Sequence, residues 1–180
     1  MRIITGSARG RRLEALEGME VRPTPEKIKE ALFNIIQFRI EGRVFLDMFA
    51  GSGQIGLEAL SRGAEKAFFL DASKKSIAVI ERNVSHCGFE DSAKVINADS
   101  VVYVRNIHET FDVAFLDPPY RTGLLLQGME AAAGKLSAGG ILIAEHPIDE
   151  ELPERVGSLK KLKDYKYGKI ILTSYEHADD

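Results

Sequence analysis

Four short apolar runs, each closed by an acid, constrain this chain more than any other feature. VFLD ends at Asp47, AFFLD at Asp71, KVINAD at Asp99 and DVAFLD at Asp117. The stretches between them read as helices. Gly51 to Arg62 is a loop and helix. Ile77, Ile80, Val84 and Cys87 recur on one helical face, with Ser73 placed to cap that helix and Gly88 to stop it. Leu124 to Leu136 reads as another helix, and GGILIAEH as a fifth strand. Strands that are apolar throughout and alternate with helices predict an α/β fold, a mostly parallel sheet wound on both sides. SLKKLKDYKYG and KIILTSYEH are two further strands. Only YGK joins them, so they pair as an antiparallel hairpin, because a parallel pair needs a crossover of about a dozen residues or more.

Upstream of Val44 the rhythm differs. RIIT and RRLEAL flank the turn-rich GSARG, which predicts a hairpin over residues 2–16. Thr24 is placed as an N-cap and Pro25 as a first helical residue. Ile28, Ala31, Leu32, Ile35 and Ile36 then mark an amphipathic helix to about Phe38. Residues 1–43 therefore read as a hairpin-and-helix extension, and 44–180 as the sheet domain.

The chain of 180 residues, 44% apolar and 28% charged, is long enough for one sizeable core. Its net charge of -3 does not mark a nucleic-acid binder, but the charge is unevenly spread. Residues 1–43 hold nine Lys/Arg against six Asp/Glu, so the other 137 residues balance to -6. Arg2, Arg9, Arg11 and Arg12 meet no acid within the first twelve residues and form a basic arm able to grip phosphate. A solvated charged hairpin explains the same pattern. The single cysteine, Cys87, gives neither a disulfide framework nor a C-x-x-C pair. His86, His108, His146 and His177 lack ligand spacing, so no metal is expected. The first ten residues lack a signal-peptide core, and no apolar run is long enough for a bilayer. A cytoplasmic protein that engages no membrane is expected.

Gly51, Gly53 and Gly56 form a G-x-G-x-x-G turn after the first strand. That spacing suits a dinucleotide pyrophosphate. Asp47, four residues earlier, would repel such an anion. S-adenosylmethionine has no phosphate; its ammonium, sulfonium, ribose hydroxyls and adenine amine all suit acidic acceptors. Asp71 lies twenty residues beyond Gly51, where an acid reaches ribose hydroxyls, and Asp99 with Ser100 is placed for adenine. Each acid taken singly reads equally as a helix cap. Asp117-Pro118-Pro119-Tyr120 follows the fourth strand, where an open α/β sheet holds its reacting group. An exocyclic base amine is a poor nucleophile, and acceptors aimed at its hydrogens stabilise the charge that develops on it. The Asp117 carboxylate and the Pro118 carbonyl supply two acceptors, and proline, with no backbone N–H, stiffens the turn so that its carbonyl can be held toward the ligand. Tyr120 offers a face for an extruded base, worth roughly 1–3 kcal/mol.

DMFAGSG, FFLDAS, INADS and FLDPPY, in this order, resemble class I S-adenosylmethionine-dependent methyltransferases that act on amines. RIITGSARGRRL and RPTPEKIKEALFNII narrow the resemblance to the RsmD family, over nearly the whole chain to about Glu176. The resemblance implies a Rossmann-like class I methyltransferase with a mostly parallel seven-stranded sheet, an antiparallel C-terminal hairpin and an N-terminal extension. It implies methyl transfer from S-adenosylmethionine to the N2 amine of a guanine in bacterial 16S ribosomal RNA, of the guanine-966 type. The partner would be that RNA within a small subunit or its assembly intermediate. Asp47, Gly51 and Gly53 would hold the methionine part of the cofactor, Asp71 its ribose, and Asp99 with Ser100 its adenine, with Phe49 also among the cofactor-binding residues. Asp117, Pro118, Pro119 and Tyr120 would hold the guanine. Arg2, Arg9, Arg11 and Arg12 would face RNA, and Arg22 and Thr24, in the segment that packs near the active site, would close over cofactor or RNA. The family more often has glutamate where this chain has Asp71.

LKKLKDYKYGK interleaves lysines with Tyr165 and Tyr167 and reads as a solvated strand edge kept from aggregating. The same lysines and tyrosines would also suit single-stranded RNA. The rivals are an N6-adenine DNA methyltransferase with the same loop, a glutamine-amide methyltransferase, a nicotinamide-dependent oxidoreductase on GSGQIG, and a non-enzymatic RNA-binding module.

Overall fold

The computed structural model describes residues 1–18 and 24–179, so the expectation for Arg22 lies outside the described residues. Among the described residues eight strands form one sheet: β1 Val44–Asp47, β2 Lys66–Asp71, β3 Ala93–Asn97, β4 Phe111–Leu116, β5 Leu136–Pro147, β6 Arg155–Val156, β7 Leu159–Tyr167 and β8 Ile170–His177. Their order is β3-β2-β1-β4-β5-β8-β7-β6. β1 to β5 are mutually parallel. β8 lies between β5 and β7 and runs antiparallel to both. The expected seven strands and C-terminal hairpin are present. The eighth, β6, has two residues and pairs only with Leu159 and Lys160. Two residues are too few to show the alternation by which a strand is read from sequence.

Helices α1 Glu26–Ile35, α2 Gln54–Ser61 and α3 Lys74–Cys87 cover one face of the sheet, and α4 Ser100–Asn106 and α5 Leu124–Ala133 cover the other. Successive strand residues serve the two faces in turn. Phe45, Phe69, Phe115 and Ile143 join the core under α1 to α3, while Leu46, Leu70, Leu116 and Ala144 join the one under α4 and α5. This is why these runs are apolar throughout. An eight-residue helix such as α2 is not stable alone in water. Packing fixes it, at about 1.5–3 kcal/mol per fully buried large apolar side chain. Every residue of α2 is buried.

The extension shares the first of these cores through Ile3, Ala8, Leu13, Ile28, Leu32, Phe33 and Ile36. Its hairpin is short, with one bridge between Arg2 and Arg12. α2 does the rest of the holding. The fully buried Glu58 accepts from the Ile4 and Thr5 N–H groups and from Arg62 Nε, and lies 3.6 Å from Lys29 Nζ. Ser61 Oγ accepts from the Ala8 N–H and donates to the Thr5 carbonyl. A Cβ on Gly6 would lie 1.8 Å from the Ser61 carbonyl oxygen, so only glycine allows this approach. α1 starts one residue later than expected: Pro25, with ψ 145°, is its N-cap and Thr24 precedes it. The helix also stops at Ile35, before Phe38, whose side chain is 91% exposed and gains no packing from another helical turn.

Candidate active site

The acids gather along the rim where the parallel strands exit. Asp47 and Asp71 are the last residues of β1 and β2, Asp117 follows β4, and Asp99 lies two residues beyond β3. Asp47 is buried and accepts from the Gly56 N–H at 3.0 Å. Burial pushes its carboxyl up to about 7; the Gly56 hydrogen bond opposes this and the nearby Asp71 charge adds to it. Gly51 and Gly53 have φ of 58° and 85°, in the left-handed region that favours glycine, and turn the chain into α2. Gly56 serves packing instead: a Cβ there would lie 2.3 Å from Phe69 Cε1, so helix and sheet meet only through glycine.

Two of the acids also work locally. Asp71 accepts from the Gly51 N–H at 3.0 Å and the Ser73 N–H at 2.9 Å, tying the glycine turn to the end of β2. Asp99 caps α4 by accepting from the Val102 N–H, and Ser100 is the buried first residue of that helix. A carboxylate has about four lone-pair sites, so neither contact bars a ligand. Phe49 sits across the sheet from the glycine turn's helix, its ring packed over Gly128 of α5.

Asp117 to Tyr120 open the loop after β4. The Met48 N–H donates to the Phe115 carbonyl at 3.1 Å, which pins the exit of β1 to that of β4. The glycine turn and this loop are thus neighbours. Thr122 Oγ1 donates to the Pro119 carbonyl, and Arg121, at φ 59°, pairs with Asp149. Tyr120 Oη donates to Glu145 Oε1 at 3.3 Å. Glu145 lies near the end of β5, 2% exposed, and lines a shallow depression with Pro118, Pro119, Tyr120 and Leu125.

Three residues outside the sequence-derived set support this rim. Asn83 donates to the carbonyls of Glu14 and Ser52 and accepts from the Glu14 N–H, joining the extension to the glycine turn through α3. Gln54 Nε2 donates to the Thr24 carbonyl at 3.2 Å, which holds Thr24 beside the same turn. Glu145 is the third. Asn83 was detectable as a polar residue on the apolar stripe of α3, and Glu145 as one more acid ending an apolar run.

The arginines of the arm are not gathered at this rim. The turn carrying Arg9 packs at the C-terminal end of α2 through Ser61, about 12 Å along that helix from the glycine turn. Arg11 donates to the His86 carbonyl near the end of α3, and Arg2 pairs with Glu26. Arg12 is exposed beside Arg2. At the opposite flank, the Ile148 N–H donates to the Lys169 carbonyl, which brings the β7–β8 turn to the exit of β5. Beyond Lys160 the outer edge of β7 has no strand partner among the described residues.

This strand order, with a glycine turn after β1 and the Asp-Pro-Pro-Tyr loop after β4, defines a Rossmann-like methyltransferase fold. A solved Escherichia coli chain, yhhF, superposes with a TM-score of 0.89 at 27% identity, covering 98% of this chain and 97% of that one. A hypothetical protein from a Thermus species gives 0.82 at 32% identity, covering 98% and 99%. The chain belongs to the RsmD family, whose signature, described as Conserved hypothetical protein 95, matches residues 1–176. A Bacillus subtilis relative, YlbH, named provisionally as an rRNA methyltransferase, is 39% identical over 98% of both chains. Haemophilus influenzae Ribosomal RNA small subunit methyltransferase D is 41% identical over 89% of this chain and 87% of its own.

Proposed function

We propose that this protein transfers a methyl group from S-adenosylmethionine to the exocyclic N2 amine of a guanine in 16S ribosomal RNA, in a small subunit or its assembly intermediate. The observation that carries the reading is the Asp117-Pro118-Pro119-Tyr120 loop beside the glycine turn, joined to it through the Met48–Phe115 hydrogen bond. Relatives named for small-subunit RNA methylation support the substrate class.

The donor set fits the cofactor. A buried carboxyl pushed up to about 7 lacks a cation, and the ammonium of S-adenosylmethionine is one. When bound, the cofactor supplies an electrophilic methyl on a sulfonium. Asp47, with Gly51 and Gly53, would hold its amino-acid part, Asp71 its ribose, and Asp99, Ser100 and Phe49 the adenine side and its surroundings. The carboxylate of Asp117 and the carbonyl of Pro118 accept from the two amine hydrogens and turn the nitrogen lone pair toward the methyl. Both acceptors gain strength as the amine becomes positive, which is differential stabilisation of the transition state. Asp117 need not be a strong base, because the amine becomes acidic only as the new bond forms. Tyr120 presents a ring for stacking, with its hydroxyl held by Glu145. Thr24 and the exposed arginines Arg2, Arg9, Arg11 and Arg12 would face RNA phosphate, as would Arg22, giving affinity more than base choice.

The test is methyl transfer from labelled cofactor to unmodified 16S RNA and to small subunits, followed by nucleoside analysis. N2-methylguanosine is expected. A methyl on a ring atom, or transfer only to DNA adenine, would overturn the reading.

A further inference from the structure

The Asp-Pro-Pro-Tyr loop recognises an amine and leaves the base open. Guanine N2 and adenine N6 are both planar amines with two hydrogens, and Asp117 and Pro118 can accept from either. The atom next to the amine differs: N1 of guanine carries a hydrogen, whereas N1 of adenine is a bare acceptor. A site that selects guanine needs an acceptor beside the group that holds the amine.

Glu145 occupies that position. The register pairs Leu116 with Ala144 on neighbouring parallel strands, which lie about 4.8 Å apart; Asp117 is the first residue of the loop beyond Leu116, and Glu145 is the next residue of β5. Ile143 faces α1 to α3, and alternation along β5 turns Glu145 to that side, where it meets Tyr120 of the loop that Asp117 opens. Glu145 is 2% exposed and lines the depression bounded by Pro118, Pro119 and Tyr120. Its Oε1 accepts from the Tyr120 hydroxyl, which fixes both the carboxylate and the ring. A carboxylate offers about four lone-pair sites, so holding Tyr120 and receiving an N1–H are compatible. A buried acceptor rewards the matching donor and penalises a facing lone pair.

We infer that Glu145 is a specificity residue: its carboxylate accepts the N1–H of the base whose N2 amine meets Asp117, and selects guanine against bases with an unprotonated N1. This rests on the guanine-amine reading above. The experiment uses 16S RNA in which the mapped target guanine is replaced, by splinted ligation, with 2,6-diaminopurine. That base keeps the N2 amine and has a bare N1. Wild type is expected to favour guanine over diaminopurine by roughly 100-fold or more in kcat/KM, as sites built around a hydrogen bond do. Glu145→Gln, whose amide can donate to a bare N1, is expected to bring that ratio to within about tenfold, lowering it for guanine and raising it for diaminopurine. Glu145→Asp keeps the carboxyl and should keep the preference at a lower rate. Tyr120→Phe should lower both substrates in proportion.

The inference is overturned if Glu145→Gln lowers both substrates equally, as Tyr120→Phe does, since Glu145 would then only hold the tyrosine. It is overturned equally if wild type already accepts diaminopurine, or if Glu145→Gln fails to fold and Glu145→Asp loses the preference. Absence of N2-methylguanosine with wild type would remove the functional reading itself, a result separate from any of these.

Discussion

Strands β1, β2 and β4 are buried along almost their whole length and meet a charge where they leave the sheet, whereas β7 carries four lysines in nine residues. The first three lie in the parallel part, under helices on both faces. β7 lies in the antiparallel part, with most of its outer edge open. A carboxylate at the end of a buried strand has its orientation fixed by the sheet and its hydration reduced by the layers around it, so its charge is poised. A lysine on an open edge is solvated, and it keeps other strands from adding there. Charge at an exit therefore points to chemistry, and charge along an edge to solubility.

The largest test of this contrast is Asp117→Ala. It should cut methyl transfer by about 10³-fold or more while leaving cofactor affinity within about threefold, measured by single-turnover kinetics and calorimetry. Retained activity would detach the chemistry from the exits. Next comes pH. Between the usual carboxylate range and about 7 the folded protein binds a proton at Asp47 that the unfolded chain does not, so this group's contribution lowers stability as pH rises through that window. A cationic ligand needs the ionised form, so affinity for S-adenosylmethionine should fall about tenfold per pH unit below about 7, and fall again above about 8, where the ligand's own ammonium loses its proton. A flat profile from about pH 5.5 to 8.5 would separate Asp47 from the ammonium.

Two glycine substitutions compare the halves directly. Gly56→Ala drives a Cβ into Phe69 and should cost about 1–3 kcal/mol in urea unfolding, with weakened cofactor binding. Gly168→Ala, at φ 62° in the β7–β8 turn with open space around it, should cost about 1 kcal/mol and leave cofactor binding unchanged. The smallest effect belongs to Lys163→Ala with Lys166→Ala: stability within about 0.5 kcal/mol and an unchanged salt dependence of RNA binding. Arg9→Ala with Arg12→Ala should reduce that salt slope by roughly one per lost phosphate contact. A salt slope that responds to the lysines and ignores the arginines would move the RNA surface to the other flank.

The parallel half is legible in the sequence because burial on both faces removes ambiguity. VFLD, AFFLD and DVAFL form β1, β2 and the body of β4, with the glycine turn where its spacing puts it. The same logic, carried one strand further, picks out Glu145 at the end of GGILIAEH. That acid is easily missed because His146 and Pro147 continue β5, so that the run does not visibly stop at it. Asn83 and Glu58 are hidden for another reason. Their partners, Glu14 and Ile4, are 69 and 54 residues away, and no local pattern records a contact between distant segments. The extension reads as a hairpin and a helix with no visible anchor, because the helix that holds it, α2, comes later in the chain.

The insertion of β8 between β5 and β7 has a consequence for synthesis. Both neighbours of β8 leave the ribosome before it does, and at about 5–20 residues per second the delay after β5 lasts a few seconds. For that interval β5, which bears Glu145, has a bare hydrogen-bonding edge on its outer side. A chaperone that shields strand edges would find its target there, and slow codons between residues 147 and 170 would lengthen the exposure.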